Sequence, residues 1–288
     1  MMSRVAEVLP AGVAELVVYT DQLGPLQGRQ DFVAEEVPVA LVFNGISHAV
    51  MMASPSDLED FALGFALTEG LLLSPQELYG VEMCHVANGI ELQLEVSSAC
   101  EWRLKERRRS LAGRTGCGLC GTDSLSQVRR DLSDVKSVHV NAQAVIRAEA
   151  QLRQWQHLQQ LTGATHAAAW VDLSGQILRV REDVGRHNAL DKLIGDLVRN
   201  QIDSAGGFIC ITSRASFEMV QKALVFGVGV LAAVSAPTAL AVEVAKSHNL
   251  ALVGYVRNNQ LVAYSFADRL NLGSVQTHNK EVIENGHP

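Results

Sequence analysis

Apolar and polar positions alternate along this chain in two rhythms. Residues 36–54, "EVPVALVFNGISHAVMMAS", hold two alternating runs about Asn44-Gly45, a dipeptide suited to a type I′ turn, and predict a β-hairpin. The next run, "SPSDLEDFALGFALTEGLL", changes to a helical period. Leu58, Phe61, Ala62 and Phe65 share one face, and Ser56 and Glu59 have the spacing of a capping box. "GIELQLEVSS" alternates as a strand, and residues 1–35 are polar and weakly patterned, enough for a strand or two with loop. After residue 140 the rhythm becomes regular. "QAVIRAEAQLRQWQHLQQL" predicts one amphipathic helix and "THAAAWVDLSGQILRV" two strands about a Ser-Gly turn. "RHNALDKLIGDLVRNQ", "SFEMVQKALVFGVG" and "TALAVEVAKSHN" predict helices separated by the buried strands "GFICITS" and "VLAAVSA". "ALVGYVRNNQLVAYS" closes the series as a hairpin.

Strands and helices alternating at these lengths imply an α/β fold, a layered sheet with helices on both faces. A smaller α+β part at residues 1–140 precedes it, and the larger α/β domain takes residues 141–288. The longest apolar run, "ALVFGVGVLAAVSAPTALAV", is rich in Gly and Ala and broken by Pro237, so it reads as buried strand and helix rather than a membrane span. With Glu7 and Glu15 in its first twenty residues, the chain does not open like a secretory signal, and a cytoplasmic location is expected.

Composition sharpens the picture at one place. The net charge of −7 argues against general nucleic-acid binding. It divides into +5 on Arg103–Arg114 and −12 elsewhere. That basic run leads straight into "GCGLCG", where Cys117 and Cys120 form the chain's one Cys-x-x-Cys. Three chemistries use such a pair. A zinc knuckle needs two further ligands, and Cys84, Cys100 and Cys210 include no second pair. A redox dithiol normally follows an apolar strand. A carrier thiol needs a thiolate, and Arg107, Arg108, Arg109 and Arg114 favour one. The residues favour the carrier, with a zinc-binding interaction protein as the alternative. Elsewhere, Trp155 and Trp170 fit core packing, His48 and His166 fit hydrogen-bonded core positions, His139 and His157 fit the surface, and Cys210 fits an inert buried thiol.

In "EDVGRHN" and "TSRAS" a strand gives way to a helix, where backbone amides point at an anion. Arg186 and Arg214 are candidate phosphate partners, with His187, Asn188 and Ser213 to orient it, while Asp183, Ser213 and Ser216 equally suit helix caps.

Several blocks, taken together, resemble the FdhD family of formate dehydrogenase accessory sulfurtransferases. They are "EEVPVALVFNGISHAVMMASPSDLEDFALGF", "LKERRRSLAGRTGCGLCG", "LTGATHAAAW", "EDVGRHNALDKL", "SRASFEMVQKA" and "SAPTALAVEVAKSHNLALVGYVR". The resemblance implies a cytidine deaminase-like larger domain, although the deaminase zinc signature is missing and no metal ligands are assigned. It implies a sulfur relay in which a cysteine desulfurase loads Cys117 with a persulfide and Cys120 assists. The acceptor would be the molybdenum bis(molybdopterin guanine dinucleotide) cofactor destined for formate dehydrogenase. It implies cofactor binding by Tyr255, Val256, Arg257, Asn258, Asn259 and Gln260. It also admits a homodimer, and neither nucleic acid nor membrane is an expected partner.

Overall fold

The structure, a computed structural model, describes residues 9–20, 27–112 and 132–271. Cys117 and Cys120 lie outside the described residues. Strands β1 (Val13–Thr20) and β2 (Gln27–Ala34) pair antiparallel as a two-stranded ribbon. Beside it stands a four-stranded sheet in the order β4-β3-β6-β5, built from β3 (Val37–Phe43), β4 (Ile46–Ala53), β5 (Leu78–Val86) and β6 (Gly89–Val96). The β3–β4 turn puts Asn44 at φ 45° and Gly45 at φ 77°, as a type I′ turn requires.

Helix α1 (Leu58–Thr68) packs Leu58, Phe61, Ala62 and Phe65 into the core above this sheet. The expected Ser56–Glu59 capping box does not form. Asp57 precedes the helix in a left-handed conformation at φ 52° and makes no side-chain cap. Strand β5 carried too little alternation to be anticipated. Arg103 to Arg109 of the basic run lie within α2 (Ser98–Ala112). Leu, Ala, Glu, Lys and Arg are strong helix formers, and Glu101 pairs with Lys105 one turn on.

The larger sheet has six strands in the order β12-β11-β10-β9-β7-β8. These are β7 (His166–Asp172), β8 (Ile177–Asp183), β9 (Gly207–Ile211), β10 (Val230–Ala233), β11 (Ala251–Arg257) and β12 (Gln260–Ala263). Strands β9, β10 and β11 run parallel, while β7 and β12 run antiparallel to their neighbours. Helices α5 (Arg186–Arg199), α6 (Phe217–Phe226) and α7 (Ala239–Ser247) bury Leu190, Leu193, Met219, Val220 and Ala241 against one face. Helix α3 (Ala142–Trp155) buries Val145, Ala148 and Leu152 against the other. Helices therefore cover both faces, as the strand–helix rhythm predicted.

The single helix expected over residues 143–161 is two, α3 and the short α4 (His157–Thr162), broken at Gln156. The Glu182 carboxylate accepts hydrogen bonds from the amides of Leu158 and Gln159, both at 2.9 Å, and so starts the second helix. Trp170 is in the core at 2% exposure, whereas Trp155, expected there too, ends α3 at 43% exposure.

The two layers are joined by a close crossing of α1 and α5. A Cβ added to Gly64 would lie 1.8 Å from the Asp191 carbonyl oxygen, and one added to Gly195 would lie 1.9 Å from that of Asp60. Only hydrogen fits on both sides. Overpacking of this kind costs roughly 1–3 kcal/mol or more, so Gly195→Ala should lower Tm by about 5 °C or more. A calorimetric scan that leaves Tm unchanged would show that the crossing yields to an added methyl.

Candidate functional site at the carboxyl edge of the larger sheet

Because β9, β10 and β11 are parallel, their carboxyl ends share one edge of the sheet. The start of β7 and the end of β8 share it too, since His166 pairs with Asp183 and Ala168 with Ile211. Along this edge the chain repeatedly turns from strand into helix, the usual place for a ligand in such sheets.

At one end, β8 passes through Asp183 into α5. Asp183 is buried, and its Oδ1 accepts from the amide of Gly185 at 2.8 Å and from Asn188 Nδ2 at 3.0 Å. It therefore organises the helix start rather than capping it directly, and Gly185 takes the cap position. Arg186 and His187 open α5. The His187 Nε2 lies 2.8 Å from the Glu218 carboxylate in the first turn of α6. His187 beside it holds the Glu218 carboxyl below the usual carboxylate range. Burial lowers the pKa of His166, and the nearby charges of Arg186 and His187 lower it further. Buried polar atoms without a described protein partner occur here, namely Arg186 Nε and Ser216 Oγ. Ser216 occupies the cap position of α6 but its side chain makes no cap bond. Ser213 is buried and donates to the Arg214 carbonyl at 3.0 Å, and Arg214 itself is exposed.

At the other end stands the β11–β12 hairpin. Asn258 and Asn259 turn it at φ 51° and 62°. Asparagine is one of the few side chains that tolerates two such positions in succession. Just before them the register shifts between Gly254 and Arg257, and Tyr255 is held at φ 51°. A left-handed tyrosine is uncommon and costs strain, which the surrounding structure must hold. The Arg257 guanidinium lies 5.3 Å from the centre of the Tyr255 ring.

Tyr255, Arg257, Asn258, Asn259 and Gln260 line a cavity of about 630 Å³ that also takes in Asn141, Gln143 and Ile146 from the start of α3. Val256, expected with them, is wholly buried in the core and does not line that cavity. The α3 residues were not anticipated. Their one signal was Asn141, whose side chain accepts from the Gln143 amide at 2.8 Å as a helix cap. The remaining amides of that first turn and the Arg257 guanidinium make the cavity favourable for an anion.

The residues expected to act together thus fall into two groups on one edge. Arg186, His187, Ser213 and Arg214 lie toward β7, β8 and β9, and Tyr255 to Gln260 lie beyond β10. From β7 to β11 there are three strand spacings, about 14 Å. Tyr255 touches the intervening ground, since its amide donates to the Ser235 carbonyl at 3.2 Å. Cys210 sits in the middle strand with no exposed surface, and burial, helped by Glu149, pushes its thiol up to about 12, so it is inert.

Comparisons with known proteins agree on one family. The family model for FdhD/NarQ matches residues 34–271. A protein of Bordetella petrii named sulfur carrier protein FdhD is 56% identical over 245 residues, covering 85% of this chain and 88% of that protein. One of the same name from Variovorax paradoxus is 54% identical over 268 residues, covering 92% and 94%. A solved structure described as that of a formate dehydrogenase accessory protein from Desulfotalea psychrophila shares the fold. It aligns with a TM-score of 0.71 at 19% identity over 90% of this chain and 99% of that one. With a fold, an ordered set of motifs and a family match that run together from the first sheet to the last hairpin, the chain belongs to the FdhD/NarQ family.

Proposed function

We propose that this protein is a sulfur carrier that accepts sulfur as a persulfide on Cys117 and delivers it to a molybdenum bis(molybdopterin guanine dinucleotide) substrate for formate dehydrogenase. Family membership across residues 34–271 carries the reading. The names of relatives more than half identical to the chain point the same way.

Loading is an exchange between sulfurs. The Cys117 thiolate attacks the outer sulfur of a desulfurase persulfide. A new S–S bond forms on Cys117, and the donor's S–S bond breaks to leave the donor thiolate. The basic run ahead of the pair favours the attacking thiolate and steers an anionic partner. Cys120 assists release.

The carboxyl edge supplies what a nucleotide-bearing acceptor needs. The hairpin cavity lies in the size range of small-molecule sites, with a cation and a helix start on its wall. Arg257→Ala should weaken nucleotide binding roughly tenfold or more by removing a charge-assisted contact, with sulfur loading unchanged. Equal affinity of that variant and the wild type in calorimetric titration would remove Arg257 from the site.

The deciding experiment is intact-mass spectrometry after incubation with a cysteine desulfurase and cysteine, without reductant. A gain of one sulfur atom, removed by reductant, supports the reading. No gain, with zinc retained in the native spectrum, would replace it with a zinc-binding interaction protein.

A further inference from the structure

Two titratable side chains face each other across the helix starts of α5 and α6, and the sulfur relay has so far given them no task. His187 stands in the first turn of α5 and Glu218 in the first turn of α6, with the imidazole Nε2 2.8 Å from a carboxylate oxygen. The contact is one of charge rather than an aligned hydrogen bond, so the carboxylate does not lock the ring proton. The side chains are 30% and 48% exposed, open to the crevice beyond the strand ends. An ion pair so exposed contributes little to stability. The fold is held instead by pairs such as Lys192 with Asp183, which are fully buried.

The surroundings separate the roles of the titratable groups. Lys222, one turn on in α6, is committed to Asp191. Burial and then the charges of Arg186 and His187 disfavour a proton on His166, at the start of β7. His187 beside Glu218 keeps that carboxyl ionised, so a proton in this corner is best placed on His187. Arg186 Nε and Ser216 Oγ, both buried atoms without a described partner, flank the pair. Titratable groups driven to opposite states in one crevice are the pattern of a proton-transfer site.

Sulfur delivery calls for such a site. The outer sulfur of a persulfide must gain two electrons before a metal can take it as sulfide. The two thiols supply them: the Cys120 thiol attacks the inner sulfur of the Cys117 perthiolate, a Cys117–Cys120 bond forms, and the outer S–S bond breaks. Hydrosulfide leaves with the Cys120 proton, and a small dithiol reductant later reopens the disulfide. When hydrosulfide replaces an oxygen ligand on the acceptor's metal, that oxygen departs as water. One of its hydrogens comes from the hydrosulfide, and one further proton must be supplied. An acceptor seated in the hairpin cavity has its reacting end free to extend along the edge toward α5, about 14 Å away. We propose that His187, backed by Glu218, is the acid that gives the leaving oxygen this proton. The proposal rests on the carrier reading and adds a catalytic residue to it.

The test is a time course of formate dehydrogenase activation by the full chain preloaded with sulfur, with and without added imidazole. His187→Ala should show the mass gain of the wild type yet deliver about a hundredfold more slowly, the usual effect of removing a general acid. Free imidazole, entering the space left by the side chain, should raise that rate about tenfold. His187→Gln keeps a polar group beside Glu218 but has no proton to give up. It should lose as much as His187→Ala with a Tm close to that of the wild type, which separates lost chemistry from lost folding. Glu218→Gln should slow delivery to a smaller extent and not respond to imidazole. Delivery by His187→Ala at the wild-type rate, or a loss that imidazole does not restore, overturns the assignment. The carrier reading survives either result as long as Cys117 still gains sulfur. If the wild type gains none, the carrier reading falls and the assignment of His187 falls with it.

Discussion

Cys117→Ala should gain no sulfur when incubated with a desulfurase and cysteine, and its capacity to activate formate dehydrogenase should fall to background. The sulfur needs a nucleophile to accept it, and no other described cysteine offers one. Cys210 is fully buried with its thiol pushed up to about 12, and Cys100 is also fully buried. Cys84, half-buried on an edge strand of the smaller sheet, has no Lys or Arg within five residues of it along the chain. The loss should therefore be complete, unlike that from a variant that only weakens docking. Nucleotide titration of the same variant should match the wild type, because the hairpin cavity is lined by the start of α3, the β11–β12 hairpin and Asn271. Cys120→Ala reports on the second thiol: retained loading with slower delivery fits an assisting role. Full activation of formate dehydrogenase by Cys117→Ala would sink the assignment.

The larger domain was legible in the sequence because its helices and strands each carry their own period. "GFICI" and "VLAA" are buried on both faces and read as continuous apolar runs, while α5 and α6 show a clear helical face. What was illegible depended on partners distant in sequence. The break at Gln156 is imposed by Glu182, 24 residues from Leu158. Strand β5 belongs to its sheet through pairing with β6, not through alternation of its own. The capping box at Ser56 fails because Asp57 turns left-handed before α1. Helix α2 fits a reading of the arginine run as the solvated face of a short helix, a reading the adjoining cysteine pair had outweighed.

The site divides in the same way. Arg186, His187 and Ser213 were visible as residues at strand–helix junctions, and the hairpin as Asn-Asn between alternating runs. The start of α3 was not, since helix propensity says nothing about which sheet edge a helix start will face. Only the crossing of α3 over β11 and β12 brings Asn141 to Arg257.

Lys192→Met should be the most damaging substitution in the described core. Lys192 and Asp183 are both fully buried, with Nζ 2.7 Å from Oδ2, and the ammonium also donates to the Ser54 carbonyl at 2.9 Å. Methionine fills nearly the same space but leaves the Asp183 carboxylate in the core without its counter-charge. Breaking a buried pair from one side costs about 3–5 kcal/mol, or roughly 10 °C in Tm for a chain of this size. Asp183 also fixes the Gly185 amide and the Asn188 side chain, so the start of α5 that carries Arg186 and His187 should loosen with it. The double variant Lys192→Met, Asp183→Asn removes both charges and should recover part of the loss, because the larger penalty comes from the orphaned carboxylate rather than the missing attraction. A single variant that melts with the wild type would mean that the carboxylate is neutral in the fold. A double variant no better than the single would mean that packing around Lys192, and not its charge, holds this seam between the layers.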